Sequence, residues 1–238
     1  MTLDILAFGA HPDDVELGAG GTLAKHAKQG QKVGIVDLTR GEMGTRGTPE
    51  IRDEEAKNAA KILGCAIREN LKMRDGFLTN DEASQLEIVK VIRKYKPEII
   101  LINAPRDRHP DHGVASEMVL QASFKSGFVK LETELDGVIQ KAWRPKVVYK
   151  YIQFYDFKPD FVVDISGFHD QKMESILAHA SQFYNPNSTE PETVIASKSF
   201  FKSLESRARE YGRGIYAEHG EGFLVDRMIG AEDLFSIK

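Results

Sequence analysis

Leu3-Asp-Ile-Leu-Ala-Phe-Gly-Ala-His-Pro-Asp-Asp14 is the stretch that decides the fold. Leu3 to Ala10 is a short, nearly continuous apolar run, the pattern of a strand buried on both faces. From Asp14 to Gln29 the chain reads as a helix, with Val15, Leu17, Leu23, Ala24 and Ala27 as core candidates and Gly30 closing it. Val33 to Leu38 is a second strand. A strand, a helix and a further strand predict a right-handed crossover and a parallel sheet.

Working outward, the same alternation continues. Thr48 and Pro49 have the character of an N-cap and a first helical residue, and the helix they open runs through Glu54, Ala59 and Ile62 to Gly64. Ile67 to Leu71 reads as a third strand, and Asp81 to Tyr95 as a helix with Leu86, Val89 and Ile92 on one face. Pro97 ends that helix, and Glu98 to Asn103 is the clearest strand in the chain. Further on, Val114 to Lys125 predicts a helix, while Lys146 to Gln153 and Phe161 to Ile165 predict strands. Helices at about 169–183 and 197–211 flank the loop from Asn185 to Pro191. No repeat or linker interrupts the pattern. The expectation is one α/β domain over residues 1–238, a Rossmann-like, mostly parallel sheet with helices on both faces.

Composition narrows the function. Of 238 residues, 41% are apolar and 29% charged, enough for a real core and ordinary for a soluble protein. Lys and Arg total 32 against 36 Asp and Glu, so broad phosphate neutralisation, and with it nucleic-acid binding, is not expected. No apolar stretch approaches membrane-spanning length, and Met1 to Ile5 lack the basic start of a signal peptide. Cys65 is the single cysteine, which excludes an intramolecular disulfide framework and a Cys-rich zinc site. A soluble cytoplasmic protein is expected, with no membrane or nucleic-acid partner.

Chemistry collects in two segments: His11-Pro-Asp-Asp14 after the first strand, and Asp107-Arg-His-Pro-Asp-His112 after the strand ending near Asn103. Ligands of open α/β sheets bind outside the carboxyl ends of the strands, where strand order reverses. Both loops leave by that edge. Together they offer His11, Asp13, Asp14, His109, Asp111 and His112, an imidazole and carboxylate set that suits Zn²⁺. A catalytic zinc takes three protein ligands, so the surplus would supply a general base and a general acid. Taken alone, Asp14 is equally a helix cap. His26, His169 and His179 lie in helical stretches without a partner nearby in sequence and are expected at the surface. Gly18-Ala-Gly-Gly21 faintly suggests a dinucleotide-binding turn, but it falls inside the helix and lacks the G-x-G-x-x-G spacing. Close helix packing, or a helix start delayed beyond the motif, explains it better.

Ala10-His-Pro-Asp-Asp14 with His109-Pro-Asp-His112 resembles the LmbE/PIG-L family of zinc-dependent N-acetylglucosaminyl deacetylases. The likeness extends through Val36 to Glu42, Gly47 to Arg52, Glu54-Glu-Ala56, Asp164 to Ser166, Ser181 to Phe183 and Glu221 to Phe223. Within the family the chain most resembles the bacillithiol-biosynthesis branch, which deacetylates N-acetylglucosaminyl-malate.

The resemblance makes His11, Asp14 and His112 the Zn²⁺ ligands and Asp13 the general base for the attacking water. It makes His109 the group that stabilises the oxyanion or protonates the departing amine, oriented and charged by Asp111. Chemistry alone does not choose His112 over His109 as ligand. Arg52, Arg108, Glu42 and Asp75 match or adjoin positions near the sugar, and His219 stands where the family pattern has a tyrosine. The resemblance also implies a small N-acetylglucosamine conjugate as partner and a homo-oligomer, as relatives assemble into hexamers. Two other readings stand beside it: a deacetylase or amidase of another N-acylated glucosamine conjugate, and a non-catalytic nucleotide- or sugar-binding protein.

Overall fold

The structure, a computed structural model, describes residues 1–236. In chain order the elements are β1 (Ile5–Gly9), α1 (Asp14–Lys28), β2 (Val33–Thr39), α2 (Pro49–Leu63), β3 (Ile67–Met73), α3 (Glu82–Tyr95), β4 (Ile99–Asn103) and α4 (Pro110–Lys125). They continue with β5 (Glu134–Leu135), β6 (Val138–Ile139), β7 (Val147–Tyr151), β8 (Phe161–Asp164), α5 (His169–Leu177), α6 (Lys198–Gly214) and β9 (Gly220–Leu224). Seven strands form one sheet in the order β3-β2-β1-β4-β7-β9-β8. Only β9 runs antiparallel to its neighbours. The expected Rossmann-like, mostly parallel sheet is therefore present.

β1 shows why its sequence is apolar without alternation. Leu6 and Phe8 face a core shared with Ile88 and Ile92 of α3 and with Met118 of α4. Ile5 and Ala7 face the opposite core with Val15 and Leu23 of α1 and with Tyr151. Both faces are covered, so neither set of alternating positions is polar. Strand order reverses between β1 and β4, since β2 and β3 lie on one side and β7 on the other.

Local signals explain most boundaries. Thr48 Oγ1 accepts from the Ile51 N–H and Gly64 caps α2 at φ 75°, as its sequence predicts. Asp81 caps α3 by accepting from the Ser84 N–H. Several elements depart from expectation, the short strands β5 and β6 among them. Helix α4 starts at Pro110 rather than Val114, because proline at the first position has no N–H to satisfy. The second motif thus forms a helical first turn, not a loop. Helix α5 ends at Leu177, short of residue 183. Strand β9 was not anticipated, since Gly220 and Gly222 weaken any strand pattern.

The glycines of α1 serve packing. A Cβ on Gly18 would stand 2.2 Å from the Tyr151 ring, and one on Gly21 would stand 2.7 Å from Ile165. Tyr151 has no room to retreat: it is fully buried and donates its hydroxyl to Phe8 O at 2.9 Å. Alanine gains about 1 kcal/mol of helix propensity over glycine, whereas overpacking costs about 1–3 kcal/mol. Gly18→Ala is therefore expected to lower the urea midpoint at unchanged m-value. A raised midpoint would mean that the ring can yield.

A candidate metal centre at the switch point

The turn after β1 is held from three directions. The Ala10 N–H donates to Asn103 Oδ1 at 3.1 Å, and Ala10 O accepts from the Thr39 N–H and hydroxyl. Arg52 of α2 reaches under the turn, donating to Pro12 O at 2.9 Å, Gly41 O at 2.8 Å and Asp13 Oδ2 at 3.3 Å. Asp13 sits at φ 130°, a region that costs a non-glycine residue about 1–3 kcal/mol. Gly41 must be glycine, since its φ is 66° and a Cβ would meet the Arg52 guanidinium at 1.9 Å.

The turn throws Asp13 and Asp14 to different partners. Asp14, 1% exposed, accepts from Gln153 Nε2 at 2.6 Å, Asn103 Nδ2 at 3.1 Å and the His11 N–H at 3.0 Å. Its Oδ1 lies 3.1 Å from His112 Nε2, and its Oδ2 lies 3.6 Å from His11 Nδ1. His112 Nδ1 is backed by Asp107 Oδ2 at 3.1 Å, and Asp107 is itself anchored by the Phe154 and Tyr155 N–H groups. The far nitrogen of His11, Nε2, stands 2.9 Å from Asp75 Oδ1 and 3.6 Å from Asp111 Oδ2, out of line for a hydrogen bond. The His109 ring lies 4.4 Å from that of His11 and 5.5 Å from that of His112, centroid to centroid.

Charge tests whether a cation fits. Asp13, Asp14, Asp75 and Asp111 are all buried around His11 and His112, with Arg52 in contact with Asp13 as a permanent cation. Burial opposes charge on Asp14, yet His112 and His11 hold it well below the usual carboxylate range. Burial likewise opposes a proton on His112, but Asp14 and Asp107 lift it to about 9, and Asp111, Asp14 and Asp75 raise His11. The pocket calls for positive charge, and a divalent ion bound by deprotonated imidazoles would replace those protons. Imidazole and carboxylate together suit zinc.

Three imidazoles (His11, His109, His112) and a second set (His11, Asp75, Asp111) each bring ligand atoms within 4.8 Å of one another. Asp14 bridges His11 and His112 as described. Asp13 differs from its neighbour. Burial pushes its carboxyl up to about 6, against the opposing pull of Arg52.

A cleft of about 980 Å³, counting space open to solvent, leads to these groups and is walled opposite them by Val194, Ile195 and Phe200. Arg108 lies on its rim with its guanidinium 5.3 Å from the centre of the Phe154 ring.

Several expected residues sit differently from expectation. Arg52 is buried and clamps the turn. Glu42 is exposed, and its carboxylate accepts from the Asp75 N–H at 2.8 Å. Asp111 spends its carboxylate on the Gly76 N–H at 2.7 Å and faces His11, so it does not orient His109. Instead His109 Nδ1 accepts from the Asp111 N–H at 3.3 Å, and burial with neighbouring imidazoles keeps its pKa below the usual value.

His219 lies outside the cleft, with His169 and Glu205. His169 and His179, expected at the surface, are buried at 6% and 0% exposure because other elements supply their partners, Glu205 and Glu16. The supporting groups Asn103, Asp107 and Gln153 went unread. The available signal was position, since all three follow or end strands at the carboxyl edge.

Asp107 fixes both the ring of His112 and its tautomer. Asp107→Asn is therefore expected to weaken zinc binding 10–100-fold in a chelator competition while leaving the fold intact. Unchanged affinity would mean that His112 does not bind the ion.

A family model described as PIG-L, GlcNAc-PI de-N-acetylase, matches residues 6–123, which include both His/Asp segments. Diacetylchitobiose deacetylase of Thermococcus kodakarensis is 33% identical over 190 residues, 75% of this chain and 70% of that protein. A probable N-acetyl-alpha-D-glucosaminyl L-malate deacetylase 2 of Bacillus subtilis is 28% identical over 199 residues, 76% and 84% of the two chains. The 4-oxalmesaconate hydratase of Pseudomonas putida is 27% identical over 193 residues, 74% and 73%. Among solved structures, the conserved protein TT1542 from Thermus thermophilus superposes with a TM-score of 0.87 at 33% identity, covering 98% of this chain and 99% of that one. With the paired segments, the sheet and these relatives in agreement, the chain belongs to the PIG-L/LmbE deacetylase family.

Proposed function

We propose that the protein is a zinc-dependent amide hydrolase that removes the acetyl group from an N-acetylglucosaminyl conjugate, with N-acetylglucosaminyl-malate as the substrate. The observation that carries the reading is Asp13: a buried carboxyl raised to about 6, on a strained turn, beside a cation-seeking set of His11, Asp14 and His112. A general base works best with a pKa near the working pH.

Zinc held by His11, Asp14 and His112 would supply Lewis acidity for an amide carbonyl and for water. The chain's own groups divide the rest. Asp13 accepts the proton of the attacking water, and Arg52 keeps that carboxylate aimed from behind. His109, whose Nδ1 accepts from the Asp111 N–H, offers its Nε2–H as a hydrogen-bond donor to the developing oxyanion, and the proton taken up by Asp13 passes to the leaving amine. Val194, Ile195 and Phe200 give the sugar an apolar wall. Arg108 on the rim offers a cation to the malate carboxylates.

The test is acetate release from N-acetylglucosaminyl-malate, diacetylchitobiose and N-acetylglucosamine by zinc-loaded protein. Turnover fastest on the malate conjugate supports the proposal in full. Turnover on the others alone keeps the hydrolase and removes the malate branch. Absence of acetate from all three removes the amidase reading and favours water addition of the kind named in the hydratase relative.

Asp13→Asn is expected to lower kcat by about 10²–10⁴ while zinc content stays as in the parent. Full activity in that variant would remove Asp13 as the base.

A further inference from the structure

Outside the cleft, three chain segments bring His169, Glu205 and His219 together. His169 opens α5 beyond the end of β8, Glu205 lies midway along α6, and His219 immediately precedes β9. The two imidazoles stack at 4.1 Å and 8°, and both turn Nε2 toward one carboxylate. His169 Nε2 stands 2.5 Å from Glu205 Oε2, and His219 Nε2 stands 3.3 Å from Oε1. Both rings are buried, while the Glu205 side chain is 40% exposed and opens the cluster to solvent.

A plain ion pair accounts poorly for this arrangement. Two stacked rings at that spacing repel each other if both are protonated, so the carboxylate has at most one imidazolium to meet. Burial, followed by the neighbouring ring, holds His169 below the ordinary histidine pKa, and the approach of Glu205 only partly offsets it. Two imidazole nitrogens and a carboxylate, all within 4.8 Å of one another, form a ligand set for a borderline divalent ion. Solvent on the Glu205 side would complete its coordination. Arg209 Nε, 2.5 Å from Glu205 Oε1, competes for that oxygen, but its side chain is 57% exposed and free to swing away.

We propose that His169, Glu205 and His219 form a second binding site for a zinc-class divalent cation, separate from the cleft, which fastens α6 to the β8–β9 corner. Because α6 also carries Phe200 of the cleft wall, an ion there would stiffen one side of the cleft without touching substrate.

The test uses the full chain with His11→Ala and His112→Ala, which removes the cleft ligands. After chelator stripping and equilibration with Zn²⁺, this variant is expected to keep one zinc per chain. Adding Glu205→Gln, a conservative change at a half-exposed position, is expected to abolish it. Zinc at a hundredfold over its Kd should raise the Tm of the first variant by roughly 5–10 °C and leave the Glu205→Gln version unmoved. A first variant that binds no zinc, or one whose zinc and Tm rise both survive Glu205→Gln, would overturn the site.

Discussion

The rest of the site depends on satisfying one buried charge, the Asp14 carboxylate. A carboxylate with 1% exposure is tolerable only when its oxygens are fully met by donors or cations. Each neighbouring element contributes one. Asn103 comes from the end of β4, Gln153 from just past β7, the His11 N–H from the turn after β1, and His112 from the first turn of α4. β1 and β4 flank the reversal of order and β7 lies next to β4, so topology and electrostatics answer the same demand. The reversal opens the space, and the strand ends around it carry the amides that line it.

Behind the site lies a second ionic network that fixes α1 from its other side. Arg68 on β3 pairs with Asp37 of β2 at 2.8 Å and with Glu16 of α1, and His179 approaches Glu16 at 3.2 Å. Burial opposes charge on Glu16, yet Arg68 and His179 hold it down to about 2. Removing one member of such a buried group costs about 3–5 kcal/mol, because the remaining charges lose their partner. Helix α1 is thus held by Asp14 on the cleft side and by Glu16 on the sheet side, which keeps the turn at Asp13 from relaxing.

What the sequence made legible follows from locality. Covered strands, the cap at Thr48, the stop at Gly64 and the paired His/Asp segments rest on residues close together in the chain. The Gly18–Gly21 run was legible as close helix packing, but not its partners Tyr151 and Ile165, and the helix starts at Asp14 without the delay that the other reading expects. Partners from distant elements were not. A helical stretch around His169 or His179 gives no hint that Glu205 or Glu16 will cover it, and nothing near Asp111 tells that its carboxylate will turn to Gly76 and His11. Strand β9 was hidden by its glycines. The β5–β6 hairpin did carry a signal, Asp136-Gly137, whose φ values of 52° and 77° suit a tight two-residue turn.

Asp13 and Asp14 show how far environment outranks residue type. They are adjacent and both buried, yet one carboxyl is raised to about 6 and the other is held well below the usual range. Asp14 receives two side-chain amides, a backbone N–H and two nearby imidazoles; Asp13 has one guanidinium contact at 3.3 Å. The first is locked as an anion and suits a cation's ligand, while the second can hold and release a proton. Asp13 closes the turn at φ 130° and Asp14 opens α1, so two consecutive carboxylates enter different surroundings and take opposite roles.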